Sequence, residues 1–175
     1  MAQEIREDLT LQFGPPEPLS ALHLLEDFEC GEPVLDDWVK RRALANQSSG
    51  ASRTFVVADQ DRRVCGYYAM AAGAVAHQLA TGGIRRNMPD PVPVMVLARL
   101  AVDRRAQGRH LGASLLQDAV NRAVAVSRNA GVRALLVHAL NDKAKQFYER
   151  YGFQAAPTRP MTLMLRLTSA QDQAG

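Results

Sequence analysis

The feature that most constrains the fold is a strand–helix–strand run in the second half of the chain. Val94–Val102 is apolar apart from Arg99. Gly108 to about Ala130 places Leu111, Leu115, Ala119, Arg122 and Val126 at near-helical spacing. Ala134–Ala139 is short, free of formal charge and apolar apart from His138. Two strands joined by a helical connection of that length pair in parallel, and the crossover packs on a sheet. A charge-free strand of this kind is expected to be buried on both faces. Upstream, Thr54–Ala58 is rich in β-formers, residues 59–62 read as a turn, and Val64–Gln78 follows as a long strand, so the pair reads as a hairpin. Thr162–Leu167 alternates and closes the sheet. The expectation is an α/β mixed fold: a central mixed sheet, mostly antiparallel, one parallel strand–helix–strand crossover, and helices on both faces.

The remaining segments are shorter. Residues 10–13 suggest a first strand, broken by the Gly-Pro-Pro-Glu-Pro run at 14–18. Leu19–Leu25 is expected as a short helix. Glu32–Gln47 is expected as a longer one, with Leu35, Trp38, Val39 and Leu44 near one face and Asp36 and Asp37 in its first turn. Residues 81–93 carry too many glycines and prolines for anything but a loop. Asn141–Arg150 is expected as a helix, Asn141 at its N-cap and Gly152 ending it. With 175 residues, 47% apolar and 22% charged, the chain is expected to form a single globular domain over 1–175. Its core would span about 10–167, with 168–175 a flexible tail. Cys30 and Cys65 form no CxxC or Cys/His cluster, so they read as small core residues in a reducing compartment and no metal is expected. The polar N-terminus is unlike a signal peptide, and the uncharged stretch Val64–Ala76 is too short to span a bilayer. A soluble, cytoplasmic protein with no membrane partner is expected.

Charge is unevenly placed. Residues 1–37 hold ten acids against one base, a net −9, leaving +12 on residues 38–175. Eighteen of the 21 bases are arginine, the side chain that binds phosphate as a two-pronged fork. A basic body of this kind suits a polyanion, either nucleic acid or a phosphate-rich cofactor. A solvated surface with the acidic head folded onto it accounts for the same composition.

The chemistry concentrates at 97–116. A strand runs into a short loop bearing Arg104, Arg105, Gly108, Arg109 and Gly112, and then into a helix. Backbone amides at a helix start have no partner within the helix, and the macrodipole adds positive potential there, which makes a pyrophosphate site. Neither the dinucleotide fingerprint nor a Walker A loop fits the spacing. A second segment runs Asn141-Asp-Lys-Ala-Lys-Gln-Phe-Tyr-Glu-Arg-Tyr-Gly-Phe153.

These two segments resemble the signatures of the GNAT acyltransferases, the second matching N-x-x-A-x-x-F-Y-x-x-x-G-F and Gln107–Gly112 matching R/Q-x-x-G-x-G/A. Further stretches are similar to one GNAT branch, the toxins of type II toxin–antitoxin pairs that N-acetylate aminoacyl-tRNA: Cys30-Gly-Glu-Pro, Leu35-Asp-Asp-Trp, Lys40-Arg-Arg-Ala-Leu, Arg85-Arg-Asn-Met-Pro, Leu97-Ala-Arg-Leu-Ala-Val and Val137-His-Ala-Leu. This likeness covers about residues 18–167. His110 departs from it, standing where the family has glycine.

The resemblance implies acetyl-CoA as acetyl donor, bound by Leu100, Ala101, Val102, Arg104, Gln107, Gly108, Arg109, His110, Leu111, Gly112, Ala113 and Ser114, with Asn141, Ala144 and Phe147. It implies Tyr148 as the acid that protonates the leaving thiolate; without the motif, Tyr148 reads as one aromatic of an amphipathic helix. It implies tRNA contacts by Lys40, Arg41, Arg42, Arg85, Arg86 and Arg99. Arg99 reads equally as an ion-pair partner of Asp103 or another carboxylate, and Arg85 and Arg86 as solvated loop charges. If position 110 needs positive φ, histidine is among the more tolerant side chains. Asn141 reads first as a cap, His138 as a satisfied core histidine, Trp38 as core or a dimer contact. No carboxylate lies within 94–102 to act as a base. A lysine amine with pKa ~10.4 would need one, whereas an α-amine near ~7.7–8.0, lower still when esterified, is already partly neutral. The missing base favours an aminoacyl ester as acceptor, and the function the resemblance implies is acetylation of aminoacyl-tRNA by a homodimer, blocking translation, with a ribbon-helix-helix antitoxin as partner. The alternatives are a GNAT acting on a small-molecule or protein amine, and a non-catalytic acyl-CoA-binding module.

Overall fold

Asp59 closes the hairpin turn, its carboxylate accepting from the amides of Asp61 and Arg63 at 2.9 and 3.0 Å while Arg62 adopts φ 64°. Short polar side chains of this kind bond their own backbone two residues on and so stabilise tight turns. The strands it joins, β2 (Arg53–Ala58) and β3 (Val64–Val75), pair antiparallel from Arg53↔Met70 to Val57↔Gly66, with an irregularity before Ala58↔Val64. The computed structural model describes residues 13–168. The other strands are β1 (Glu17–Pro18), β4 (Val92–Val102), β5 (Ala134–His138), β6 (Gln154–Ala155) and β7 (Thr162–Arg166), and the sheet order is β1-β2-β3-β4-β5-β7-β6. The helices are α1 (Pro33–Arg41), α2 (Ala43–Ser49), α3 (Gly82–Arg85), α4 (Leu111–Ser127) and α5 (Asp142–Arg150).

The parallel crossover is present: β4 and β5 run in register from Val94↔Ala134 to Leu97↔Val137. β7 flanks β5 antiparallel, Ala134↔Arg166 to His138↔Thr162. Ala134 to Val137 are buried, as a charge-free strand with neighbours on both edges requires.

Two compact units make up the described chain. One holds residues up to Met70 together with Arg99–Asp118; the other holds Ala71–Ala98 and the chain from Ala119 on. In the first, Leu19, Phe28, Trp38, Val39, Ala43, Val56, Val64, Tyr67 and Ala69 share a core. Adjacent residues of β3 point to opposite faces. Tyr67 packs on Trp38 of α1, and Tyr68 donates to the Asp118 carboxylate of α4, so this unit has a helix on each face of β3. Gly66 is required there: a Cβ would lie 2.9 Å from Leu115 Cδ1 and 3.2 Å from Leu111 Cδ2. In the second, Val75, Ile84, Val92, Val94, Leu136 and Met164 form a core.

Several expectations fail locally. Leu19–Leu25 is not helical: it makes a single turn, the His23 amide on the Ser20 carbonyl, while the Leu19 amide bonds the Thr54 carbonyl and Leu24 bridges to Arg63, which ties the segment to the hairpin at both ends. The helix expected over 32–47 is two helices, broken at Arg42 (φ −120°, ψ −30°), and the break buries Ala43 while leaving Leu44 exposed. β3 ends at Val75 rather than Gln78, and β4 begins at Val92. The loop 81–93 contains the one-turn α3. The helix expected from Gly108 starts at Leu111, because Gly108 and His110 both have positive φ, 81° and 60°. β1 and β6, two residues each, carry no sequence signal. The strand expected at 10–13 and the tail at 168–175 lie almost entirely outside the described residues. Among the described residues no helix is long and apolar enough to cross a membrane, and no group of three or more His, Cys, Asp or Glu could hold a metal ion.

Candidate active site

The loop between β4 and α4 is tied down residue by residue. Asp103 is almost wholly buried. Its carboxylate accepts from the Glu29 amide at 3.0 Å, the Arg105 amide at 2.9 Å and Arg105 Nε at 2.9 Å. Burial alone would raise its pKa, but the hydrogen bonds from Arg105 and the Glu29 amide prevail and hold it below the usual carboxylate range. A one-turn 3₁₀ segment, Arg104–Ala106, follows. Gln107 then turns its side-chain amide inward, donating to the carbonyls of Val102 and Cys30, both at 2.9 Å. Gly108 and His110 in left-handed conformations carry the chain into α4, and nothing lies within 4 Å of where a Gly108 Cβ would be.

The result is an exposed helix start. The Ser114 amide bonds the His110 carbonyl at 3.1 Å, so Leu111, Gly112 and Ala113 present amides with no acceptor in their own helix. With the dipole of a 17-residue helix behind them, these amides suit a pyrophosphate. His110 does occupy a positive-φ position, as the glycine of the signature implies.

The charges expected around this loop are partly engaged. Arg105 is paired with Asp103, and Arg104 with Glu29 at 2.9 Å, both partners of the second pair being largely exposed. The pairing of Arg99 with Asp103 does not occur. Arg99 instead lies over the Trp38 ring, its Cζ 4.3 Å from the centroid. Leu100 and Val102 are half-buried and Ala101 is buried in the core, so Ala101 has only its backbone to offer a ligand. Trp38 is a core residue. Lys40 and Arg41 end α1 and Arg42 sits at the break, all three exposed.

In the second unit, Asn141 caps α5, its side-chain oxygen accepting from the Ala144 amide at 2.8 Å. Ala144 follows, with Phe147 and Tyr148 side by side one turn further on, the first two half-buried and Tyr148 buried. Phe147 and Phe153 pack edge-on to Tyr148 at 5.2 and 5.5 Å. Its hydroxyl has no hydrogen-bond partner among the described residues. Burial pushes its pKa up to about 12, so the phenol stays protonated through the physiological range. Arg85 and Arg86 are exposed at the end of α3. Their segment is held by His77, whose Nε2 lies 2.8 Å from the carbonyls of both Met88 and Pro89, and by Asp90, which accepts from the His77 amide at 3.1 Å.

Sequence reasoning missed the roles of Asp103, the Gln107 side chain, His77 and Trp38 beneath Arg99. Each depends on a partner distant in sequence, and only the buried-acid position of Asp103, at the end of an apolar strand, carried a signal. His138 is not a core histidine: it is exposed, with Nδ1 3.0 Å from Thr162 Oγ1. Cys30 is only half-buried.

Comparison with known proteins identifies the family. A model of the acetyltransferase (GNAT) domain matches residues 51–155. A tRNA-acetylating toxin of Mycobacterium tuberculosis is 50% identical over 163 residues, 93% of this chain and 98% of that protein. The structure of AtaT complexed with acetyl-methionyl-tRNAfMet is similar at TM-score 0.83 and 26% identity, over 91% of this chain and 98% of that one. A tyrosine-to-phenylalanine variant of AtaT bound to the C-terminus of the antitoxin AtaR and acetyl-CoA matches at TM-score 0.77 and 26% identity, over 89% and 94% of the two chains. The domain match spans more than half of the sequence and takes in both signature segments, Gln107–Gly112 and Asn141–Phe153; the chain belongs to the GNAT acetyltransferase family.

Proposed function

We propose that this chain transfers the acetyl group of acetyl-CoA to the α-amine of aminoacyl-tRNA and so stops the charged tRNA from serving translation. The observation that carries the reading is the 50% identity to a tRNA-acetylating toxin along nearly the whole of both chains. The same likeness, with the AtaT–AtaR structure, supports an antitoxin as protein partner.

Acetyl-CoA, when bound, supplies the activated acyl group. The amides of Leu111, Gly112 and Ala113 hold its pyrophosphate, with Arg109 adding charge, while Asp103 and Gln107 keep the loop in shape. Tyr148 gives its phenolic proton to the departing sulfur as the C–N bond forms and the C–S bond breaks; the acylated nitrogen sheds its surplus proton to solvent, and the phenolate takes one back from solvent. A phenol with a pKa near 12 is always loaded with its proton at neutral pH, although its driving force toward a thiolate is small. The acceptor needs no carboxylate base. None lies on β4, and Asp103 just beyond it is already engaged by Arg105 and the Glu29 amide. An esterified α-amine, with a pKa below the ~7.7–8.0 of a free α-amine, is partly neutral at pH 7 and attacks unaided. Lys40, Arg41, Arg42, Arg85 and Arg86 supply contacts to the tRNA backbone, which position the acceptor without reading its sequence.

The test is transfer of labelled acetyl from acetyl-CoA to bulk charged tRNA, beside uncharged tRNA, polyamines and peptides. Label should appear on charged tRNA alone and leave with the amino acid on mild alkaline deacylation. Efficient labelling of polyamines or peptides with none on charged tRNA would replace this reading by a small-amine acetyltransferase.

A further inference from the structure

We propose that Arg99, seated on the face of Trp38, is the contact for a phosphodiester at the 3′ end of the acceptor, and that Trp38 is the residue that positions it. The proposal rests on the aminoacyl-tRNA reading above. Arg99 is half-buried on β4 and lies over Trp38 at 4.3 Å, and it has neither a carboxylate nor a hydrogen-bond acceptor among the described residues. A guanidinium so placed has given up hydration without gaining a counter-charge. Its five donors, in a rigid planar fork, remain for a ligand with two oxygens in a matching plane, which is the geometry of phosphate. An aminoacyl ester has no free carboxylate, so the anions closest to its α-amine are the phosphodiesters of the terminal nucleotides.

Trp38 does not choose its orientation freely. It stacks on Tyr67, centroids 6.0 Å apart and planes 17° apart. Tyr67 is fully buried, meets Phe28 edge-on at 5.5 Å, and donates its hydroxyl proton to the Leu35 carbonyl at 2.7 Å. A hydrogen-bonded aromatic column therefore fixes the plane on which the cation rests, and with it the direction of the guanidinium fork. Trp38 and the exposed bases Lys40 and Arg41 belong to the same helix, α1. One helix thus carries both the outer phosphate contacts and the ring that sets the inner one.

Trp38 is the only tryptophan in the chain, so its emission reports this pair directly. Under selective tryptophan excitation, the wild type should change its emission on titration with the trinucleotide cytidine-cytidine-adenosine and not with a free amino acid. Arg99→Met should shift the starting emission and abolish the response. In steady-state acetylation of charged tRNA, Arg99→Met and Trp38→Leu should each raise KM about tenfold, the loss expected for an interaction with a held cation. The dissociation constant for acetyl-CoA should stay unchanged, the double variant should be no worse than Arg99→Met, and Trp38→Tyr should restore most of the loss. An unchanged KM in Arg99→Met, additive effects in the double variant, or a response to free amino acid instead of the trinucleotide would overturn the proposal. Should Trp38→Leu fail to fold, the comparison of wild type with Arg99→Met in both assays still decides. A wild type that acetylates no charged tRNA at all would overturn the functional reading, and this one with it.

Discussion

Replacing Asp103 with asparagine removes one charge from the hinge of the cofactor loop and leaves the side-chain shape in place. Asp103 receives hydrogen bonds from two backbone amides and from Arg105 Nε, all near 2.9–3.0 Å, at a position that is only 2% exposed. Bonds to an ionised acceptor contribute about 1.5–3 kcal/mol each, and the asparagine NH₂ would face a donor. The Arg105 share is discounted because that side chain is about half exposed and its attraction is screened by solvent. Asparagine keeps one accepting oxygen and loses the other, a loss of about 1.5–3 kcal/mol, which for a chain of this size lowers Tm by roughly 3–12 °C. The pH sign follows from the direction of the shift. The folded carboxyl titrates below its unfolded value of about 3.9, so its stabilisation is complete above that pH and fades as pH falls through the lower folded value. Urea unfolding followed by the Trp38 emission at pH 7, 5 and 4 gives the stability difference. Calorimetric titration with acetyl-CoA should show weaker binding, because the amides of Leu111–Ala113 are aimed by this hinge. A variant as stable as wild type at pH 7, or one whose deficit grows as pH falls toward 4, would refute the reasoning.

Tyr148→Phe should keep acetyl-CoA affinity and lose about 10²–10⁴-fold in turnover, the usual contribution of a general acid, as measured by paired titration and transfer assays. With the phenol held near 12, the wild-type rate should rise with pH through the pKa of the acceptor amine and show no falling limb from Tyr148 below pH 10; a falling limb in wild type that Tyr148→Phe lacks would contradict this. His110→Gly should leave stability within about 1 kcal/mol of wild type, relief of positive-φ strain being offset by the greater freedom of glycine when unfolded, whereas His110→Val should lose about 1–2 kcal/mol, as melting curves without ligand would show.

What was legible in the sequence is what local pattern controls. The crossover could be read because an uncharged strand, Ala134–Ala139, has few places to go other than the middle of a sheet. The loop at Gln107–Gly112 and the helix at Asn141–Arg150 could be read because glycine, a capping asparagine and helical spacing are local signals. What depended on distant partners was hidden. Leu19–Leu25 has a helical spacing of leucines, yet its backbone bonds go to Thr54 and Arg62–Val64, so tertiary pairing overrides propensity. Arg99 looked like half of an ion pair because Asp103 is four residues away, but alternation along β4 and the claims of Arg105 on Asp103 leave the guanidinium to Trp38. His77 carried no signal, since its partners are backbone carbonyls at 88 and 89, and any residue can supply those.

The central claim is that the acetyl group ends on the α-nitrogen of an amino acid esterified to tRNA. The most direct measurement is mass spectrometry of the 3′-terminal aminoacyl-adenosine, released by nuclease digestion after incubation of charged tRNA with acetyl-CoA and the wild-type chain. The account predicts a terminal fragment heavier by one acetyl group, with the added mass on the amino acid rather than the nucleoside, and little of it when Tyr148→Phe replaces wild type. An unmodified aminoacyl-adenosine, or an acetyl group found on the nucleoside, would contradict it.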